Sequence, residues 1–186
     1  MNFNKFTIKA QEAAQEAIRL AQARGQQVIE PEHLLAGILK VGENVTNFLF
    51  QKSGINGRQI EVLLDHQIAS LPKVQGGEPY LSRTSNEVLS KAQDIANKNR
   101  DEYVSLEPII LALLTTNSTV AKIMKDAGMT EKDMKAAIHE LRKGEKVTSQ
   151  TSEDTYQSLE KYAKNLIEDA RSGKLDTIVG REAEIT

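Results

Sequence analysis

One short stretch of this chain occurs twice, as VIEPEHLLAGIL at residues 28–39 and, 75 positions later, as YVSLEPIILALL at residues 103–114. In both copies apolar residues recur at spacings of three and four, which predicts a short helix with one buried face. The first copy has Pro31 where a helix tolerates a missing N–H group, and the second has Ser105 at the expected N-cap. The chain is therefore expected to build the same helix twice.

Further helices surround each copy in the same order. In the first unit the pattern predicts a helix over roughly residues 7–24 with Thr7 as its N-cap, a third helix that ends at Gly54, and a fourth directly after it. The second unit repeats this order from Leu81. After a one-residue gap in its third helix the offset becomes 74, which pairs Gly54 with Gly128.

These patterns predict an all-α fold, a double four-helix tandem repeat. Its units span about residues 1–70 and 80–142, and each is too short to bury its own faces, so they should pack as one pseudo-twofold domain. The stretch LPKVQGGEPY at residues 71–80 reads as a surface loop. Residues 143–154 are polar and lack helical periodicity, which is typical of a flexible linker. A helix is expected from roughly Ser152 to Ser172, where Gly173 ends it.

Composition excludes several classes of function. The formal charge is −2, and basic residues are interleaved with acids, so no basic stripe is available for a nucleic acid. The chain has no cysteine, no apolar leader and no run of apolar residues long enough to cross a membrane. A cytoplasmic protein without nucleic-acid or membrane partners is expected.

The histidines do not form a metal motif. His33, His66 and His139 stand alone, without the companions of a zinc site, and surface or capping roles are expected for them. Glu30 and Glu32 lie beside His33, but their repeat partners are Ser105 and Glu107, which fits charge at a helix N-terminus better than a ligand cluster.

At this level of detail the chain resembles a known family. Residues 1–142, through FTIKAQEAAQEA, VIEPEHLLAGIL, KSGIN and LPKV, resemble the amino-terminal domain of the Clp family of AAA+ ATPases, and most closely its protein disaggregases. Residues 156–182 contain GKLD-x-x-x-GR, which is similar to the entrance of the first nucleotide-binding domain in that family. The resemblance implies that residues 155–186 are the truncated start of that domain.

The resemblance also implies which chemistry to expect. In the family, the turn corresponding to Ile178, Val179 and Gly180 borders the adenine pocket, so ATP and Mg²⁺ are expected cofactors of a longer parent protein. The sequence ends before any phosphate-binding loop, and this fragment is expected to bind no cofactor and to be no enzyme.

A polypeptide-binding site is implied in the same way. Family members use a threonine at the start of the first helix and an acidic pair in the second repeat, which correspond to Thr7, Asp101 and Glu107. For the two acids, helix-dipole complementarity and loop hydrogen bonds are an equally good explanation. Asp101 aligns with Gln26 of the first unit, so duplication alone does not require the acid.

The family also has an apolar groove on the second repeat. The corresponding positions here include Ile95, Lys91 and Pro108, with Leu89 and Ile109 as further candidates that burial in the core would explain as well. Family members commonly carry leucine at the positions of Lys91 and Pro108, which predicts a shallower or more polar groove.

The implied function is binding of unfolded or aggregated polypeptides, with basic flanks favoured by the carboxylates, and transfer to an ATP-driven ring. The parent is expected to be a homohexamer that works with the DnaK chaperone system in the stress response, and the fragment a monomer. Two alternatives remain: an adaptor-docking domain of a protease-associated unfoldase, and a domain that only regulates assembly of an enzymatic ring.

Overall fold

Helices dominate the computed structural model, which describes residues 2–74 and 76–155. Within these ranges a 3-10 helix at Phe3–Lys5 precedes eight α-helices and two short strands. In chain order they are α1 (Ile8–Ala23), β1 (Val28–Ile29), α2 (Pro31–Val41), α3 (Glu43–Ser53), α4 (Gly57–Ala69), β2 (Tyr80–Leu81), α5 (Arg83–Lys98), α6 (Leu106–Thr115), α7 (Thr119–Asp126) and α8 (Glu131–Arg142). The all-α double four-helix repeat predicted from the sequence is confirmed.

The first helix of each unit begins in the same way. The Thr7 hydroxyl accepts a hydrogen bond from the N–H of Ala10 at 3.1 Å, and the Ser82 hydroxyl accepts one from Ser85 at 3.0 Å. Both residues are N-caps in extended conformation, which satisfies one of the free N–H groups at the helix start. The predicted cap at Thr7 is therefore present.

The two strands were not predicted from the sequence. β1 and β2 pair in parallel, with Val28 opposite Tyr80 and Ile29 opposite Leu81. Tyr80 thus belongs to a strand rather than to the loop expected at residues 71–80. A strand of two residues has no period that a sequence pattern could reveal, and its partner lies in the other unit.

The strand pairing is repeated about the pseudo-twofold axis. A parallel bridge joins Phe6 to Val104, each 75 residues from a member of the Ile29–Leu81 pair. The N–H of Thr7 donates to Val104 O at 2.9 Å, and the N–H of Ser82 donates to Ile29 O at 3.0 Å. Each unit therefore starts its first helix on the strand of the other unit.

The core follows the same symmetry. α2 packs against α1 and α6 packs against α5, while α3 contacts α8 and α4 contacts α7 across the pseudo-twofold axis. Every residue of α6 from Leu106 to Leu114 is buried. The repeated stretch thus forms the centre of each half, and the third and fourth helices join the halves.

The polypeptide after α8 returns to the domain. The N–H of Glu102 donates to Val147 O at 2.8 Å, and the N–H of Ile8 donates to Gln150 O at 2.9 Å. The same course is taken after α4, where Val74 donates its N–H to Gly25 O at 2.9 Å.

This course differs from the free linker expected at residues 143–154. The first compact unit of the chain ends at Ser152, and Val147 is 1% exposed. The single apolar side chain in a polar segment is buried, and the segment is held mainly by backbone hydrogen bonds, which no side-chain pattern encodes.

The helix expected from Ser152 begins within the described residues, since residues 152–155 are helical. The other expectations for the end of the chain fall outside the described residues. They are the rest of this helix, the truncated start of the nucleotide-binding domain and the adenine-pocket residues Ile178, Val179 and Gly180.

Candidate functional site

The two predicted carboxylates meet around an arginine inside the domain. Arg142, the last residue of α8, donates from Nη1 to Asp101 Oδ2 at 3.1 Å, and its Nη2 lies 3.5 Å from Glu107 Oε2. Nη2 also donates to Ser105 Oγ at 3.0 Å. The side chains of both acids are 0% exposed and that of Arg142 is 6% exposed. The acids therefore hold an internal cation and are not free on the surface for basic side chains.

Ser105 serves this cluster instead of capping α6 with its side chain. It occupies the predicted N-cap position but makes no side-chain cap bond, because its hydroxyl donates to Glu107 Oε2. The remaining oxygen of Asp101, Oδ1, accepts the N–H of Val147 at 3.0 Å. The cluster thus ties the loop before α6 to both α8 and the returning segment, as the loop-bonding interpretation of the acids predicts.

Sequence reasoning missed Arg142. The signal was present, because its repeat partner at the offset of 74 is Ile68, a buried residue of α4. A charged residue at a position that is apolar and buried in the other copy indicates a buried partner of opposite charge.

Thr7, Leu89 and Ile109 are buried and stabilise the fold. Thr7 is 0% exposed and caps α1, Leu89 is 1% exposed and Ile109 is 3% exposed. The two apolar residues lie among α1, α2, α5 and α6, beside Phe6 and Ala10. They belong to the core, the alternative already expected for them.

An open groove on the second unit contains the other predicted residues. It encloses about 760 Å³ between α5, α6 and α8, and Ile95 and Pro108 line it together with Leu111 and Ile138. Ile95 is half-buried, whereas Leu111 and Ile138 are 5% and 9% exposed, so the apolar surface is narrow. Leu111 and Ile138 were not predicted as lining residues, and Ile138 aligns with Leu64, a residue of the predicted buried face of α4.

Lys91 closes one part of this groove. Its Nζ donates to Thr115 O, at the C-terminal end of α6, over 2.6 Å. An ammonium group at the last carbonyls of a helix is favourably placed, and its aliphatic stem remains along the groove. The lysine therefore makes the groove more polar than a leucine would, as the sequence predicts.

Charged side chains surround the narrow apolar surface of the groove. The basic lining residues besides Lys91 and Arg142 are Lys98, Arg100, Lys135 and Lys146, and the acidic ones besides Asp101 are Glu131 and Glu145. Lys135 pairs with Glu131 at 2.8 Å, and this hydrogen bond holds the pKa of Glu131 below its usual value.

His33 has a structural role in the first unit. Its Nδ1 accepts the N–H of Glu30 at 2.9 Å and its Nε2 lies 2.7 Å from Gln26 Oε1, which requires the neutral ring with a proton on Nε2. Burial, with a smaller contribution from the charge of Arg24, lowers the pKa of His33 to about 4. The expected capping role of this histidine is confirmed.

Two kinds of site are absent from residues 2–74 and 76–155. No helix there is long and apolar enough to span a membrane, and no group of three or more potential metal ligands occurs there.

Comparison with known proteins identifies the class of domain. A family model described as the Clp repeat (R) N-terminal domain matches residues 5–127. The chain belongs to the Clp repeat N-terminal domain family. The N-terminal domain of Hsp104 from Candida albicans has the same fold, with a TM-score of 0.72 and 25% identity over 80% of this chain and 99% of that one.

Within this family the chain is similar to one particular protein. The chaperone protein ClpB of Bacteroides thetaiotaomicron is 69% identical over 185 residues, and that of Porphyromonas gingivalis is 52% identical over 185 residues. Each alignment covers 100% of this chain but only 22% and 21% of the respective relative. The chain thus spans about a fifth of the length of these relatives.

Proposed function

We propose that this domain is the substrate-binding amino-terminal module of an ATP-dependent protein disaggregase. It binds apolar segments of unfolded or aggregated polypeptides in the groove between α5, α6 and α8 and passes them to an AAA+ ring. The observation that carries the proposal is the open groove around Ile95, in a domain whose relatives are named as chaperones.

Binding in this groove is expected to be weak, because the groove offers little accessible apolar surface. Ile95 is the most accessible of the four apolar lining residues, and burial contributes roughly 25 cal/mol per Å² before the cost of ordering the client. A tethered module can act with weak affinity, because the tether keeps the bound segment at high effective concentration near the ring.

The rest of the proposal concerns the longer protein. Its AAA+ domains would bind ATP and Mg²⁺, assemble a homohexamer and cooperate with the DnaK system, in the cytoplasm. The domain alone is proposed to be monomeric and to perform no catalysis.

Substitution of Ile95 by serine tests the groove. We expect Ile95→Ser to weaken binding of a permanently unfolded protein, such as reduced and carboxymethylated lactalbumin, several-fold in a fluorescence anisotropy titration. Leu63→Ser is the matched control, since Leu63 is a helical apolar residue that is 40% exposed on α4, outside the groove. Thermal midpoints of both variants show whether either loss reflects unfolding.

Two results would contradict the proposal. One is equal binding by the wild-type domain and a folded Ile95→Ser variant. The other is absence of any binding to unfolded protein, which is the result that an adaptor-docking domain or a regulator of ring assembly would give.

A further inference from the structure

The rim of the groove is basic, although the chain as a whole is slightly acidic. Among the lining residues, Lys135 pairs with Glu131, and Arg142 pairs with two buried acids, Asp101 and Glu107. The remaining lining cations are Lys91, Lys98, Arg100 and Lys146. They face two acids: Glu145 on the rim and the second carboxylate of the buried Arg142 cluster. Residues 1–152 have 19 basic and 18 acidic side chains, so this excess of positive charge is local.

Duplication does not account for the basic rim. At the repeat offset of 75, Lys91 aligns with Glu16, Lys98 with Ala23 and Arg100 with Gly25. In the opposite sense, Asn99 of the groove aligns with Arg24. The second unit thus has three rim cations where the first unit has an acid or a small residue, against one cation that only the first unit has.

Arg100 adds an observation from the backbone. It has φ 60°, in the left-handed region, and its repeat partner is Gly25 with φ 70°. Both follow the same helix end, where the next residue donates its N–H back into the last turn, Gln26 to Ala21 O and Asp101 to Ala96 O, each at 2.9 Å. Glycine is the residue that this position favours, so arginine here costs stability. Arg100 thus lines the groove at a cost in stability that the glycine of the first unit avoids.

From this charge complementarity we infer that the groove takes polypeptide segments in which acidic side chains flank the apolar ones. The inference rests on the proposed function and specifies its substrate class. It reverses the preference for basic flanks expected from the sequence, because the two acids responsible for that expectation are buried against Arg142. Lys98 and Arg100 are exposed and can approach a client's carboxylates while apolar side chains contact Ile95 and Pro108.

Three end-blocked peptides with one apolar core and acidic, neutral or basic flanks test the inference by fluorescence anisotropy. We expect the acidic peptide to bind roughly five-fold more tightly than the neutral one and the basic peptide to bind most weakly. The difference should shrink at high salt, because exposed charges are screened. Residues 1–152 together carry a net formal charge of only +1, so a preference of this size would locate most of the attraction at the rim.

A double variant assigns the preference to particular residues. Lys98→Ala with Arg100→Gly gives these positions the residues of the first unit. This variant should lose most of the acidic preference, measured as the ratio of its affinities for the acidic and the neutral peptide. Because glycine suits the left-handed position, its thermal midpoint should not fall on account of residue 100. Lys122→Ala with Lys132→Ala is the matched control, since it removes two exposed lysines outside the groove and should keep the preference.

The outcomes separate this inference from the proposed function. Equal binding of the three peptides, tightest binding of the basic peptide, or an acidic preference that survives Lys98→Ala with Arg100→Gly overturns the inference and leaves groove binding intact, provided Ile95→Ser still weakens the neutral peptide. Absence of binding by all three peptides overturns both.

Discussion

Single residues explain where the sequence interpretation of the site departs from the structure. Asp101 and Glu107 were assigned a surface role through the family resemblance, but Arg142 turns both side chains inward. Breaking a buried ion cluster leaves an unpaired charge in the interior, which makes the cluster costly to alter. Glu107 Oε1 has no hydrogen-bond partner, so the cluster is incompletely satisfied even when intact. The acids support the shape of the groove rather than its surface charge.

At the same scale, His33 makes stability depend on pH. Its pKa is lowered from 6.5 to about 4. The stability it contributes is therefore fully present above pH 6.5 and is lost as pH falls towards 4, by up to about 3 kcal/mol. Urea unfolding of wild type and His33→Gln between these pH values should show a flatter dependence for the variant.

His66→Gln is the control for this measurement, since His66 is exposed on the neighbouring α4. Glu32 has the opposite effect on the pH dependence of stability. Burial raises its pKa, so protonation of Glu32 stabilises the folded state as the pH falls. This contribution is common to all three proteins and cancels in the comparison. An identical pH dependence for wild type and His33→Gln would refute the assignment.

At the scale of elements, α1 and α2 pack more closely against each other than α5 and α6, the corresponding helices of the second unit. A Cβ atom built on Gly37 would lie 2.3 Å from Ala13 O and 3.0 Å from Ala17 N, both in the backbone of α1. The corresponding residue of α6 is Ala112, which is fully buried and has room for its methyl group. The two halves therefore differ in the spacing of their central helix pair.

We expect Gly37→Ala to destabilise the domain by about 2 kcal/mol or more, although alanine has the higher helix propensity. The reason is that backbone atoms, unlike the end of a flexible side chain, cannot move aside locally. Ala112→Gly serves as the reference and should cost about 1 kcal/mol through propensity and lost packing. Chemical denaturation measures both, and a Gly37→Ala variant more stable than wild type would show that the crossing is looser than described.

The helices were the predictable part of the fold, and the contacts between distant segments were not. The helix predicted over residues 7–24 is observed at Ile8–Ala23, because capping and apolar spacing are local signals. The strands and the returning segment at Val147 depend on hydrogen bonds between residues far apart in the chain. Ile95 and Pro108 line the groove, and their role in binding stays a prediction. The basic rim emerges only when α5, α8 and the turns beside them come together.

At the scale of the whole molecule, the two units complete each other. Thr7 of the first unit is bonded to Val104, and Ser82 of the second unit is bonded to Ile29. Each bond fixes the N-terminus of the first helix of one unit to a residue of the other unit. The exchange makes the repeat one cooperative domain rather than two domains in series.

Separation of the units should therefore abolish folding. Peptides of residues 1–74 and 76–152 should each lack a cooperative thermal transition by circular dichroism, and mixing them should restore one together with most of the helical signal. Proteolytic nicking within residues 71–80 is the control, because it cuts the connection but leaves both halves bound. A cooperative transition in either peptide alone would contradict the interdependence of the units.

The return of the chain after α8 also determines how the domain responds to mechanical load. Tension drawn through the chain beyond Ser152 would reach the bond between Gln150 and Ile8 first, and the bond between Val147 and Glu102 after it. Bonds loaded one after another, as in a zipper, yield at lower force than bonds loaded together in shear. The segment can thus lengthen at Gln150 before load reaches Val147, whose N–H is bonded to Asp101. The Arg142 cluster and the groove are therefore loaded only after the bond between Gln150 and Ile8 has opened.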